Sequence, residues 1–175
     1  MRSWVLRGLI FAFGMVVLRV IQSQMINTWE TRAITISILL LVIYAIVALV
    51  WGYIDGRADA KAQPDPDRRG DLAMTWLVAG LVAGILSGAV AWLVGRFYTA
   101  MYVAGLLNEI TTFAAFTALL VFVMATIGVA VGRALWDRAY NKSHPTPTHE
   151  GAHGPDTDVF GAVKDDEATQ ETRAR

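Results

Sequence analysis

Residues 72–94 read LAMTWLVAGLVAGILSGAVAWLV. No charge interrupts the run. As a helix rising 1.5 Å per residue it spans about 35 Å, enough to cross a hydrocarbon core of about 30 Å. On either side of it, residues 34–53 (ITISILLLVIYAIVALVWGY) and 111–131 (TTFAAFTALLVFVMATIGVAV) are equally free of charge. A soluble globular chain does not carry three such runs, so these segments predict membrane-spanning helices.

A fourth block, residues 4–26, is interrupted by Arg7 and Arg19. Its uncharged centre, Gly8 to Leu18, has the length of a signal-peptide core. However, Leu18-Arg19-Val20-Ile21-Gln22 offers no small-x-small cleavage site, which favours an uncleaved helix. Arg7 lies near one interface and can snorkel. Arg19 lies deeper and needs a partner. The expected fold is an all-α integral membrane protein. A four-transmembrane-helix bundle occupies residues 1–140, with helices at about 4–26, 34–53, 72–94 and 111–131.

The remaining composition supports this division. From Asn141 the chain turns rich in Pro, Thr, Asp, Glu and Gly, which predicts a disordered acidic tail over 141–175. Residues 1–140 carry 11 basic and 8 acidic groups, a balance of +3, and the tail carries 4 and 7, a balance of −3. The overall net charge of zero is this cancellation, and it leaves no basic footprint for nucleic acid. With no cysteine there are no disulfides, thiol nucleophiles or thiolate metal ligands.

Orientation follows from the basic residues. Arg2, Arg7, Arg57, Lys61, Arg68, Arg69, Arg133 and Arg138 flank one end of the expected bundle, against Arg19, Arg32 and Arg96 at the other. This bias predicts cytoplasmic termini and a cytoplasmic central loop in a plasma membrane, with lipid as the surrounding partner. Trp4, Trp29, Trp51, Trp76, Trp92 and Trp136 all fall near helix ends, as an interfacial aromatic belt would place them.

Two motifs read as false signals. The loop IDGRADAKAQPDPDRRGD collects five aspartates, but Pro64, Pro66 and the missing terminal glutamate argue against a calcium loop and for a solvated turn. His149-Glu150-Gly151-Ala152-His153 matches a zinc-protease pattern. Gly151 inside it and Gly154-Pro155 after it oppose the helix that pattern requires. No phosphate loop or nucleotide fingerprint occurs. The chain reads as a non-enzyme with no cofactor and no metal.

Gly80, Gly84 and Gly88 recur every four residues beside a second small ribbon, Ala79, Ala83, Ser87 and Ala91. Gly128 and Gly132 repeat the spacing. Such faces let helix backbones approach closely, either inside the bundle or as the seam of a homo-oligomer. A faint repeat pairs Trp4 and Gly8 with Trp76 and Gly80, and Gly52 with Gly132. If genuine, it predicts two parallel halves related by an axis along the membrane normal.

Candidate working groups gather at the end opposite the termini. Arg19, Gln22, Ser23, Asn27 and Glu30 lie on roughly one face of the first helix, and Asn108 and Glu109 start the fourth. Glu30 and Glu109 are the acids outside the cytoplasmic segments, with Arg19 and Arg96 as their natural partners. These charges read first as a structural ion pair at the membrane rim; the functional alternative is a site open to the outer side where a carboxylate exchanges a cation or proton for substrate. Tyr44, Thr35, Ser37 and Thr117 are expected to make interhelical hydrogen bonds.

Over residues 3–138 the chain resembles small bacterial four-transmembrane-segment members of the drug/metabolite transporter superfamily. The resemblance is carried by Asp55-Gly-Arg-Ala-Asp59, Pro64-Asp-Pro-Asp-Arg-Arg69 and Asp71-Leu-Ala-Met-Thr-Trp76. It implies ion-driven export or exchange of small metabolites or lipophilic drugs, with the substrate itself unspecified. The small multidrug exporters of that superfamily use a glutamate within the first helix, whereas this first helix has Arg7 and Arg19 and no acid before Glu30. The function expected is secondary transport. The alternative is a non-transporting accessory or scaffold subunit of an envelope complex.

Overall fold

The computed structural model describes residues 2–98 and 105–144, with side chains from Trp4 onward. Four long helices account for most of them: α1 (Arg2–Thr28), α2 (Ala33–Ala62), α3 (Leu72–Phe97) and α4 (Leu106–Ser143). Each is long and apolar enough to cross a membrane, and no strand occurs among the described residues. Large apolar side chains cover the outside. Phe13, Ile34, Ile38, Leu119 and many others are exposed, a surface that suits lipid and not water. The chain is therefore an all-α integral membrane fold. It divides into two units, Met1–Ser143 and His144–Arg175. Apart from His144, the second unit lies outside the described residues, as do the expected disordered tail beyond it and the His149/His153 motif.

Two helices run further than expected. Residues 54–62, read as loop, continue α2 because each turn of them meets another helix. Asp55 pairs with Arg7 of α1 at 2.8 Å, Gly56 packs on Val129, and Asp59 pairs with Arg133 of α4 at 2.5 Å. The helix stops at Gln63, which is extended as the residue before a proline tends to be. α4 also runs past its expected end at about 131, on to Ser143, with Arg133 paired to Asp59 and Asp137 to Arg69 along the extension. The true turn is short. In it Asp65 accepts from the Asp67 N–H at 3.1 Å, and Asp71 caps α3 by accepting from the Met74 N–H at 2.9 Å. Asp55, Asp59, Asp65 and Asp71 are thus caps and ion-pair partners.

The helices close in the order α1, α3, α4, α2. Along α3–α4, which is antiparallel, a methyl group on Gly80, Gly84 or Gly88 would come within 2.7, 2.2 or 2.6 Å of the carbonyl oxygens of Ala118, Ala114 and Glu109. Along α4–α2, which is parallel, the zipper is reciprocal. Gly52 and Gly56 meet Ala125 and Val129, while Gly128 and Gly132 meet Leu49 and Tyr53. The Gly80/Gly84/Gly88 face is consumed inside one chain and is not free to form a homo-oligomer seam, which corrects that reading.

The fourth contact, α1 with α2, is the loose one. The suggested repeat aligns Gly8 with Gly80, and Gly8 does pack on α3 beside Ala79 and Val82. Where α3 next has Gly84 and Gly88, α1 has Ala12 and Val16 at the same spacing. The two halves run parallel but are packed unequally: α3–α4 is sealed and α1–α2 gapes.

One tryptophan departs from the belt. Trp76 is completely buried among Phe11, Trp51 and the Arg7 guanidinium, with edge-to-face ring contacts to Phe11 at 5.7 Å and to Trp51 at 6.4 Å. It is a core residue. Its position one turn into α3 mimics an interfacial one in the sequence.

Candidate functional site

The gap between α1 and α2 is a cavity of about 270 Å³. Met15 and Leu18 of α1, Leu40 and Leu41 of α2, and Phe113 and Phe116 of α4 make its walls apolar. Arg19, Gln22, Ser37 and Tyr44 put polar groups into it. It opens sideways, since Ile38 and Phe116 on its rim are about half exposed on the lipid-facing surface.

Its polar end is built on a local irregularity. Glu109–Phe113, early in α4, is a π-helical segment. This wider turn brings Glu109 and Phe113, four residues apart, onto the face toward α1. There Arg19 donates from Nη1 to Glu109 Oε2 at 2.5 Å and from Nη2 to Oε1 at 3.2 Å, while its guanidinium carbon lies 4.1 Å from the centre of the Phe113 ring. Glu109 is only 3% exposed. Close approach is possible because Gly88 of α3 leaves room for the Glu109 backbone. A bidentate pair stacked on an aromatic ring is the geometry a guanidinium provides and an ammonium does not.

Next to it Gln22 Nε2 donates to Ser37 Oγ at 2.8 Å, bridging α1 and α2 across the cavity. Ser37 Oγ donates back to the Ala33 carbonyl at 2.8 Å, and Tyr44 donates its hydroxyl to the Phe11 carbonyl at 3.0 Å. Ser37 and Tyr44 thus make the interhelical bonds expected of them. Thr117 does not: it is fully buried and its hydroxyl oxygen has no partner among the described residues. Thr35 is exposed.

The expected site residues separate. Arg19 and Glu109 come together. Glu30 lies beyond the end of α1, exposed in a short 3-10 turn, and Arg96 is exposed and stacks on Trp92 at 5.6 Å. Asn108 is exposed one residue before the π turn. The polar stripe of α1 divides as well. Ser23 turns back to the Arg19 carbonyl at 2.9 Å and Asn27 is exposed. Charge type and depth identified the pair, but Phe113, Gln22 with Ser37 and the α1–α2 gap as one site needed the fold. The π turn has no sequence signal we can name.

The other end of the bundle is closed by ion pairs. Arg133 bridges Asp59 and the Gly70 carbonyl at 2.7 Å, and Arg69 holds Asp137 through two hydrogen bonds of 2.6 and 2.9 Å. The hydrogen-bonding Arg69 guanidinium holds the Asp137 carboxyl below its ordinary range, and Asp137 in turn raises Arg69. No protein-family model matches the chain, and no curated protein matches it.

Proposed function

We propose that this protein is a small secondary transporter of the plasma membrane whose α1–α2 cleft admits a lipophilic small molecule from the side. The observation that carries this reading is the combination of a lipid-open apolar cavity of about 270 Å³ with a buried Arg19–Glu109 pair at its polar end. An ionisable pair at membrane depth is costly to keep where an apolar one would pack as well, which supports a working role. Two further features agree with it. The helices approach closely along α3–α4 and α4–α2 while α1–α2 is loosely packed, so α1 and α2 can part without breaking the other contacts. The resemblance to four-segment members of the drug/metabolite transporter superfamily points the same way.

In this reading the termini and the Asp59/Arg133 end face the cytoplasm, on the strength of the basic residues there. The test is flux. The purified chain in liposomes should move lipophilic probes under an imposed proton gradient, and Leu41→Trp, which fills the cleft, should stop it. Lack of flux in wild type, together with a stoichiometric partner lost on deleting residues 141–175, would instead establish the scaffold reading.

A further inference from the structure

We propose that the cleft selects a lipophilic monoanion, such as an aromatic or aliphatic carboxylate, and that Glu109 takes up one proton when it binds. The inference rests on the cleft being the binding site. Its basis is an asymmetry between the two charges there. A guanidinium keeps its proton under all ordinary conditions, whereas a carboxylate can be neutralised.

A ligand entering the cavity meets Arg19, which lines it, and Glu109, which holds Arg19. A cation would have to displace Arg19 from Glu109. That would leave two positive charges against one carboxylate, and among the described residues around the pair no group can release the excess. An anion displaces Glu109 from Arg19 instead. One proton from solution then neutralises the freed carboxylate. The pair Arg19⁺·Glu109⁻ plus ligand anion plus proton becomes Arg19⁺·ligand⁻ and neutral Glu109, and the net charge of the site does not change.

The surroundings suit this exchange. Gln22 supplies an amide donor beside Arg19, and Ser37 a hydroxyl, so a carboxylate headgroup can be held by more than the guanidinium. Met15, Leu18, Leu40, Leu41 and Phe116 receive the apolar body. Phe113 keeps the guanidinium stacked while its carboxylate partner changes. Other elements add no competing charge among the described residues. α3 faces Glu109 with Gly88, and its Arg96 is exposed on Trp92. α2 presents Ser37 and Tyr44, whose hydroxyl is donated to Phe11, and Glu30 is exposed beyond α1.

The test compares 2-naphthoate with its cationic counterpart 2-naphthylmethylammonium on the purified full chain in nanodiscs. Calorimetry in buffers of different ionisation enthalpy reads proton uptake. Wild type should bind the anion in preference to the cation, with uptake of about one proton per ligand and affinity rising about tenfold per pH unit as pH falls. Glu109→Gln, which mimics the neutral acid, should keep binding but lose both the uptake and the pH dependence. Arg19→Gln should weaken the anion at least tenfold. If Glu109→Gln fails to fold, the wild-type proton count alone decides. Preference for the cation, anion binding without proton uptake, or binding of neither probe overturns the inference. The cleft reading stands or falls separately, on whether Leu41→Trp stops flux.

Discussion

Arg19 and Glu109 are 90 residues apart in the chain and share two hydrogen bonds, with both side chains largely shielded from solvent. Removing either partner strands the other charge away from water, which costs about 3–5 kcal/mol in buried pairs. Arg19→Ala should therefore lower the unfolding midpoint in detergent sharply. The double variant Arg19→Met/Glu109→Leu should recover most of the loss, because it removes both desolvation costs and keeps the volume. A double variant no better than Arg19→Ala would show that the pair acts through its shape and not its charge.

The glycine zipper makes a position-specific prediction. A methyl group on Gly52 would lie 2.1 Å from the Ala125 carbonyl oxygen, so α2 and α4 must separate to admit it. Gly52→Ala should cost about 1–3 kcal/mol as an overpacking change. Gly14→Ala should cost nothing, since its nearest neighbour is the Tyr44 ring at 3.8 Å and alanine is the better helix former. Chemical denaturation of the two variants side by side checks the contrast.

Trp76 and Trp29 should behave oppositely if burial decides. Trp76 has no exposed surface, so Trp76→Ala should cost about 3–5 kcal/mol through lost packing and a cavity. Trp29 is 54% exposed, and Trp29→Ala should change the midpoint little. The same thermal-unfolding assay reads both.

Acid should loosen the end of the bundle remote from the cleft through Asp137. Its carboxyl titrates below the ordinary range when folded, because Arg69 bonds the charged form. A group depressed in this way contributes stability above its unfolded pKa of about 4 and loses it as pH falls through the folded value. Wild type should accordingly lose more stability than Asp137→Asn between neutral pH and the acid limit. The gap between them should narrow in high salt, since the pair is partly exposed. Midpoints measured against pH for both proteins provide the check.

Local composition decided how many helices there are and that they cross a membrane, because a bilayer demands length and apolarity from each segment separately. The runs 34–53, 72–94 and 111–131 satisfy that demand alone, and no contact with another segment is needed to read it. The same holds for Arg19, whose depth announced that a partner must exist.

Tertiary packing decided what each segment does next. Residues 54–62 are helical because Arg7, Val129 and Arg133 meet them, and Trp76 is core because Phe11 and Trp51 surround it. Equally spaced small residues could serve a partner helix or a second chain. Only the fold shows that Gly80, Gly84 and Gly88 are used by α4. The site itself is of this second kind. Which acid reaches Arg19, and that an apolar cleft opens beside it, depends on how tightly non-adjacent helices approach. That approach is set by steric fit between backbones, a property that no single segment carries.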